Sequence, residues 1–289
     1  MLRHRLPIGI GLILALIGVL WLDSRLAPWH PLWHLLVVSA GMLAAIELSK
    51  LLEAIIAPPF RLLMITSVGA CLLANGFVPL LKIAGVASVG PTAAALICFM
   101  ACLLLAGVSQ FDDIRPVLPR MAATLFGVAY IGLLGSFLSL LRLSFEPTTG
   151  PFALYLLVAA TKGTDTGAYT FGKLFGRHLM TPKLSPKKTW EGACGGVLFA
   201  IGLTFLVRSI ELAVMGTQTL KSPGIAVFFA VLVSISGQLG DLAESLIKRE
   251  ARTKDASSSI PGFGGVLDLL DSLLLAAPVG WAILLFVGG

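Results

Sequence analysis

Gly240 to Ser272 reads GDLAESLIKREARTKDASSSIPGFGGVLDLLDS, and on either side of it the chain is apolar for about the length of a bilayer crossing. The stretch carries Asp241, Glu244, Glu250, Asp255, Asp268 and Asp271, drawn from the chain's 15 acidic residues, together with Lys248, Arg249, Arg252 and Lys254. A charge held in the bilayer costs about 2.5–3.5 kcal/mol on insertion scales, so charge this dense between two apolar segments marks a functional site at a membrane edge. The flanks, 223–247 and 264–287, then become two membrane helices joined by a polar connection at 248–263.

The rest of the chain agrees with that reading. Its 289 residues are 57% hydrophobic and 12% charged, with a mean hydropathy of +0.94. A soluble domain carries about twice that charge fraction. The apolar runs are continuous rather than alternating, which excludes a transmembrane barrel and predicts an all-α, polytopic helical membrane protein. Spans are expected near 6–22, 32–57, 61–82, 90–110, 117–141, 151–170, 192–214, 223–247 and 264–287, about nine transmembrane helices. They divide into an N-terminal membrane region, 1–150, and a C-terminal catalytic region, 151–289, with polar loops at 171–191 and 248–263. Glu47, Lys50 and Glu53 interrupt the second span, whose second half is expected at the interface.

With the N-terminus in the cytoplasm and the C-terminus outside, most Lys and Arg residues fall on the cytoplasmic side, as the positive-inside trend requires, and both polar loops share that face. The net charge of +6 is therefore a topology signal and implies no nucleic-acid partner. The first apolar run follows Arg3 and Arg5 but lacks a small-residue cleavage site, and it reads as a retained span. Trp21, Trp29 and Trp33 read as an aromatic belt around the first external loop. Cys71, Cys98, Cys102 and Cys194 read as small buried hydrophobes. The sequence contains no internal repeat of the kind many secondary transporters carry.

Two clusters carry candidate chemistry. Asp241, Ser245 and Lys248 share one helix face by i, i+4, i+7 spacing, and Asp268, Asp271 and Ser272 line the next helix. Gly264 and Gly265 sit in the turn between, where backbone can approach a ligand closely. Bringing Asp241 and Asp268 together creates repulsion that a cation relieves, and hard oxygen ligands suit Mg²⁺ with substrate phosphates. From spacing alone three uses stay open: a cation site for phosphoryl or nucleotidyl transfer, ion pairs holding the bundle, or an ion pathway. The second cluster runs from Lys162 and Asp165 to Ser185, Lys187, Lys188, Thr189 and Glu191. Its lysines and hydroxyls can receive a polyphosphate at a helix start near Thr189, or rest on anionic lipid headgroups. Gly167 to Lys173 fits G-x-x-x-x-G-K, but Leu174 follows in place of Ser or Thr and no strand precedes it, so a P-loop is excluded.

The run Ser245-x-Ile-Lys248-Arg249-x₄-Lys254-Asp255-x-Ser257-x₂-Ile260-Pro261-x-x-Gly264-Gly265-Val266-x-Asp268-x-Leu270-Asp271 resembles the signature of the phosphatidate cytidylyltransferase (CDP-diacylglycerol synthase) family. Asp165 to Tyr169, Gly172-Lys173, Ser185 to Gly192 and Gly240 to Ser245 match it as well. The resemblance is dense from about 160 to 275 and departs at Phe263, where the family has His, and at Leu269, where it has Arg. It implies transfer of CMP from CTP to phosphatidic acid, with release of pyrophosphate. Asp241 and Asp268 would be ligands of Mg²⁺ and a second cation, with Lys248 neutralising phosphate charge. Asp165, Lys187, Lys188 and Glu191 would form the CTP surface. Ser185, Thr189, Ser245, Arg249, Lys254, Asp255, Gly264, Gly265 and Asp271 lie in the same motifs as substrate-binding positions. It also implies a homodimer in the inner membrane of a bacterial cell, with the site facing the cytoplasm. A related CTP-dependent transferase, a lipid kinase or a non-catalytic relative would share these motifs. An ion transporter would need a path through Asp165, Asp241 and Asp268, whereas the charges concentrate at one edge.

Overall fold

Helix-stop residues and apolar length dictate the architecture. The computed structural model describes residues 2–77, 90–112, 116–145, 150–257, 259–260 and 264–287. Among the described residues there are nine helical runs and one two-stranded hairpin: α1 (Leu2–Ser24), α2 (Pro31–Ile55), α3 (Arg61–Ala74), α4 (Gly90–Ser109), α5 (Leu118–Leu143), α6 (Gly150–Phe175), β1 (Leu179–Thr181), β2 (Ser185–Thr189), α7 (Trp190–Met215), α8 (Pro223–Glu250) and α9 (Val266–Val287). Six of them, α2, α4, α5, α7, α8 and α9, are long and apolar enough to cross a membrane. Their outward residues are apolar, as at Leu105, Val108 and Phe286, which are 69%, 78% and 85% exposed; such a surface is stable in lipid. The protein is an integral membrane protein.

Two compact units make up the chain, residues 1–143 with 250–270 and residues 144–249 with 271–289. In the first, α2, α3 and α5 enclose Leu48, Leu52, Met64, Val68, Leu72, Ile131 and Leu140. Pro31 opens α2, and the buried Asp23 carboxylate accepts the N–H groups of Leu32 and Trp33 at 2.9 and 3.2 Å, satisfying two of that helix's orphan donors. The same carboxylate pairs with His30 at 3.1 Å and Arg142 at 3.8 Å, all three buried. A π-helical turn at Val128–Leu133 interrupts α5, where Gly132 packs against the backbone of Val68.

In the second unit α6 and α7 lie backbone to backbone. A side chain at Gly167 would stand 2.8 Å from the Gly195 carbonyl oxygen, and one at Gly196 would stand 2.8 Å from that of Thr164. This is the small-residue packing that lets membrane helices approach without a hydrophobic driving force. The antiparallel hairpin β1–β2, pairing Leu179 with Thr189 and Thr181 with Ser185, connects them. Thr189 then caps α7 by accepting the Gly192 N–H at 3.1 Å. Gly240 of α8 lies against the backbone of Asp271 and Ser272 in α9, and Thr164 bonds Ser234 at 2.7 Å.

Several sequence expectations change here. The polar stretch from 171 begins as helix, because α6 runs to Phe175, and then folds into the hairpin rather than an open loop. Of the cysteines, Cys71 alone is buried; Cys98, Cys102 and Cys194 lie on outward helix faces, where an apolar thiol suits lipid as well as core. Trp21 and Trp29 are outward-facing, but Trp33 is core at 5% exposure. α2 is unbroken through Glu47, Lys50 and Glu53, because Glu47 turns inward while the other two remain exposed.

Candidate active site

In the second unit α8 and α9 bring three carboxylates together. Asp241 and Glu244, three residues apart on α8, share a face, and the close approach at Gly240 brings Asp271 of α9 to them. One carboxylate oxygen of each lies within 4.8 Å of the others, with Glu244 fully buried and Asp271 7% exposed. Three lysines balance this cluster. Lys188 Nζ, carried in by β2, is 2.7 Å from Asp241 Oδ2. Lys248 Nζ is 2.5 Å from Glu244 Oε2. Lys162 Nζ of α6 donates to Ser272 Oγ at 2.8 Å and to Asp165 Oδ2 at 3.2 Å. With Asp165, four carboxylates face three ammonium groups. Such an all-oxygen, electron-rich donor set fits a hard dication such as Mg²⁺.

Beside the cluster opens a cleft of about 240 Å³ between α6, the hairpin and the start of α7, bordered by Asp165, Tyr169, Lys187, Lys188, Gln238 and Asp241. Lys187 is exposed and Lys188 half-buried, so the hairpin presents one ammonium to solvent and one to the carboxylates. The N-terminus of α7 contributes its positive dipole end to the same region. The arrangement is chemically able to hold an anionic, phosphate-bearing ligand at the lysines beside a cation at the carboxylates.

The other predicted site residues are placed as follows. Glu191 clamps the hairpin base, accepting the N–H groups of Arg177 and His178 at 3.1 and 3.2 Å and pairing with His178 Nδ1 at 2.5 Å. Ser185 is half-buried in β2. Ser245 is half-buried on α8, and Arg249 reaches the Leu184 carbonyl at 3.3 Å. Lys254 and Asp255 are exposed in the first unit. In that unit Asp268 accepts the Gly265 N–H at 2.7 Å and the Ala256 N–H at 3.1 Å, closing the first turn of α9. Gly264 has φ +96°, and a side chain on it would strike the Asp268 carboxylate; Gly265 faces Glu47. The glycine pair thus makes room for protein carboxylates. Phe263 lies outside the described residues, and Leu269 is half-buried on α9. Sequence spacing named Asp241 together with Asp268; within the second unit, Asp241 lies with Glu244 and Asp271. Lys162 opened the second sequence cluster and Glu244 lay in the Gly240 to Ser245 match, but neither was given a role at the site; the i, i+3 spacings Lys162–Asp165 and Asp241–Glu244 were the local signals.

Fold and site together define a polytopic helical membrane protein with a carboxylate–lysine centre beside a cleft. A profile described as the cytidylyltransferase family matches residues 3–287, and the chain belongs to that family. It is 34% identical over 163 residues to the phosphatidate cytidylyltransferase of Mycobacterium leprae (strain TN), covering 56% of this chain and 49% of that protein. It is 40% identical over 134 residues to the phosphatidate cytidylyltransferase of Haemophilus influenzae, covering 46% of each. Against the chloroplastic phosphatidate cytidylyltransferase 5 of Arabidopsis thaliana the identity is 29% over 307 residues, covering 97% of this chain and 71% of that one. The chain spans about half the length of most of the curated relatives it matches.

Proposed function

We propose that the protein transfers CMP from CTP to phosphatidic acid, giving CDP-diacylglycerol and pyrophosphate. The observation that carries this reading is the cluster of Asp241, Glu244 and Asp271, meeting Lys188 at the border of the cleft. Family membership and the names of the relatives support it. A phosphate oxygen of phosphatidate forms a bond to the α-phosphorus of CTP, and the bond from that phosphorus to the bridging oxygen of pyrophosphate breaks. No protein nucleophile is needed. Lys187, Lys188 and the start of α7 bind and orient the nucleotide phosphates. Lys162 and Lys248 hold the carboxylates in place and offset their mutual repulsion. Asp241, Glu244 and Asp271 would hold Mg²⁺, which, when bound, neutralises charge developing on the leaving pyrophosphate. The polar elements 171–191 and 248–263 face the cytoplasm in the N-in, C-out arrangement, in a bacterial inner membrane, so the nucleotide arrives from water and the lipid from the bilayer.

The test is transfer of label from radioactive CTP into an organic-soluble product by the purified protein, with phosphatidate and Mg²⁺. Label in CDP-diacylglycerol, absent when phosphatidate or Mg²⁺ is withheld, supports the reading. No labelled lipid from folded protein contradicts it.

A further inference from the structure

Glu47 sits in α2, 4% exposed, and has no part in the chemistry proposed above. Its carboxylate nevertheless accepts three hydrogen bonds from one distant segment. Oε1 takes the Ser257 hydroxyl at 2.6 Å and the Val266 N–H at 3.2 Å; Oε2 takes the Leu267 N–H at 2.8 Å. Val266 and Leu267 open α9, so their N–H groups are among the donors a helix cannot satisfy internally and stand at the positive end of its dipole. The fit is close: a side chain at Gly265 would stand 2.8 Å from Glu47 Cδ and 2.9 Å from Oε1. The turn is held on its other side by Asp268, through Ala256 and Gly265, and by the backbone pairing of Ile260 with Gly264. Two carboxylates therefore hold Ala256, Ser257 and Gly265 to Leu267, one from α9 itself and one lying 220 residues earlier than Leu267.

We infer that Glu47 is a positioning residue for the reaction, anchoring the start of α9 and so the helix that carries Asp268 and, about one turn on, Asp271. The inference rests on the activity proposed above. Without the anchor, the buried Leu267 N–H and the part-buried Val266 N–H lose their acceptor and the first turn of α9 loosens, which shifts the carboxylates borne in it and on the next turn.

Glu47→Gln tests this, because it keeps the volume but replaces one acceptor oxygen with an NH₂ that confronts a donor. Full-length protein in detergent–phosphatidate micelles is assayed for pyrophosphate release against Mg²⁺ concentration, and the α9 amides are followed by hydrogen exchange. The expected result is a fall in kcat of about 10–100-fold and a rise in half-saturating Mg²⁺ of about tenfold, as for residues that orient metal ligands. Exchange at Val266 and Leu267 quickens. A merely smaller folded fraction lowers kcat but leaves half-saturating Mg²⁺ unchanged, and that result overturns the inference, as do unchanged kinetics or amides as protected as in the wild type. If the wild type itself releases no pyrophosphate, the activity reading fails and with it the role in the reaction; protected amides in the variant would then overturn the anchoring too. Should Glu47→Gln not fold, Ser257→Ala removes one of the three donors and leaves the carboxylate in place. The same changes at smaller size support the inference, and wild-type behaviour overturns it.

Discussion

Asp271→Asn perturbs the carboxylate cluster without changing its shape. The side chain is 7% exposed and accepts the N–H of Ser272, a bond that the Asn carbonyl oxygen preserves. The other oxygen becomes an NH₂, a donor that cannot bind a cation, in a group shared with the carboxylates of Asp241 and Glu244. The local balance shifts from four carboxylates against Lys162, Lys188 and Lys248 to three. One electrostatic contact to the reacting phosphates depends on each ligand of the cation, and a bound cation supplies several kcal/mol of transition-state stabilisation. Loss of about 3–4 kcal/mol corresponds to a decrease in kcat of about 10²–10³-fold. Stability should hold or rise, because a like charge leaves a crowded buried site. Pyrophosphate release and thermal unfolding in the same detergent provide both readouts. Near-wild-type kcat in a variant of unchanged melting temperature would refute the assignment of Asp271 to the cation site.

Lys188→Met removes the ammonium 2.7 Å from Asp241 at the cleft border and should raise KM for CTP by about 10–100-fold, the range for one charge-assisted hydrogen bond, in steady-state assays. Gly167→Val forces a side chain onto the Gly195 carbonyl oxygen and the Gly196 Cα at 2.8 and 3.0 Å; overpacking of this kind should cost about 1–3 kcal/mol in thermal unfolding. Asp23→Asn deprives the buried Arg142 of its carboxylate and should destabilise the fold by about 3–5 kcal/mol by denaturation, while turnover per folded molecule is unchanged.

The helices were legible because apolar length and Pro or Gly punctuation act locally. Pro31, Pro223 and the glycine pair before Val266 mark helix starts in the sequence, and the structure begins α2, α8 and α9 there. The hairpin was not legible: Leu179–Thr181 and Ser185–Thr189 are too short and too polar for a strand pattern, and their pairing depends on Glu191 clamping residues 177 and 178. In the site, Asp241 and Lys188 were both visible as chemistry-bearing residues, but their ion pair joins a strand to a helix 53 residues further along the chain and left no local pattern. Spacing could not rank Asp268 against Asp271 either, since both lie in the first turns of one helix. Within its own unit the Asp268 carboxylate accepts N–H groups at the helix start, and within the other that of Asp271 lies with Asp241 and Glu244. Glu47 looked like an interruption of a membrane span, because its partners lie at the far end of the chain.

Pyrophosphate release by the purified protein in detergent–phosphatidate micelles, with CTP and Mg²⁺ and with ATP and EDTA as controls, tests the central claim most directly. The account predicts release that requires phosphatidate and the metal, prefers CTP to ATP, and is lost in Asp271→Asn. Silence from the folded wild type, or equal release by that variant, would contradict it.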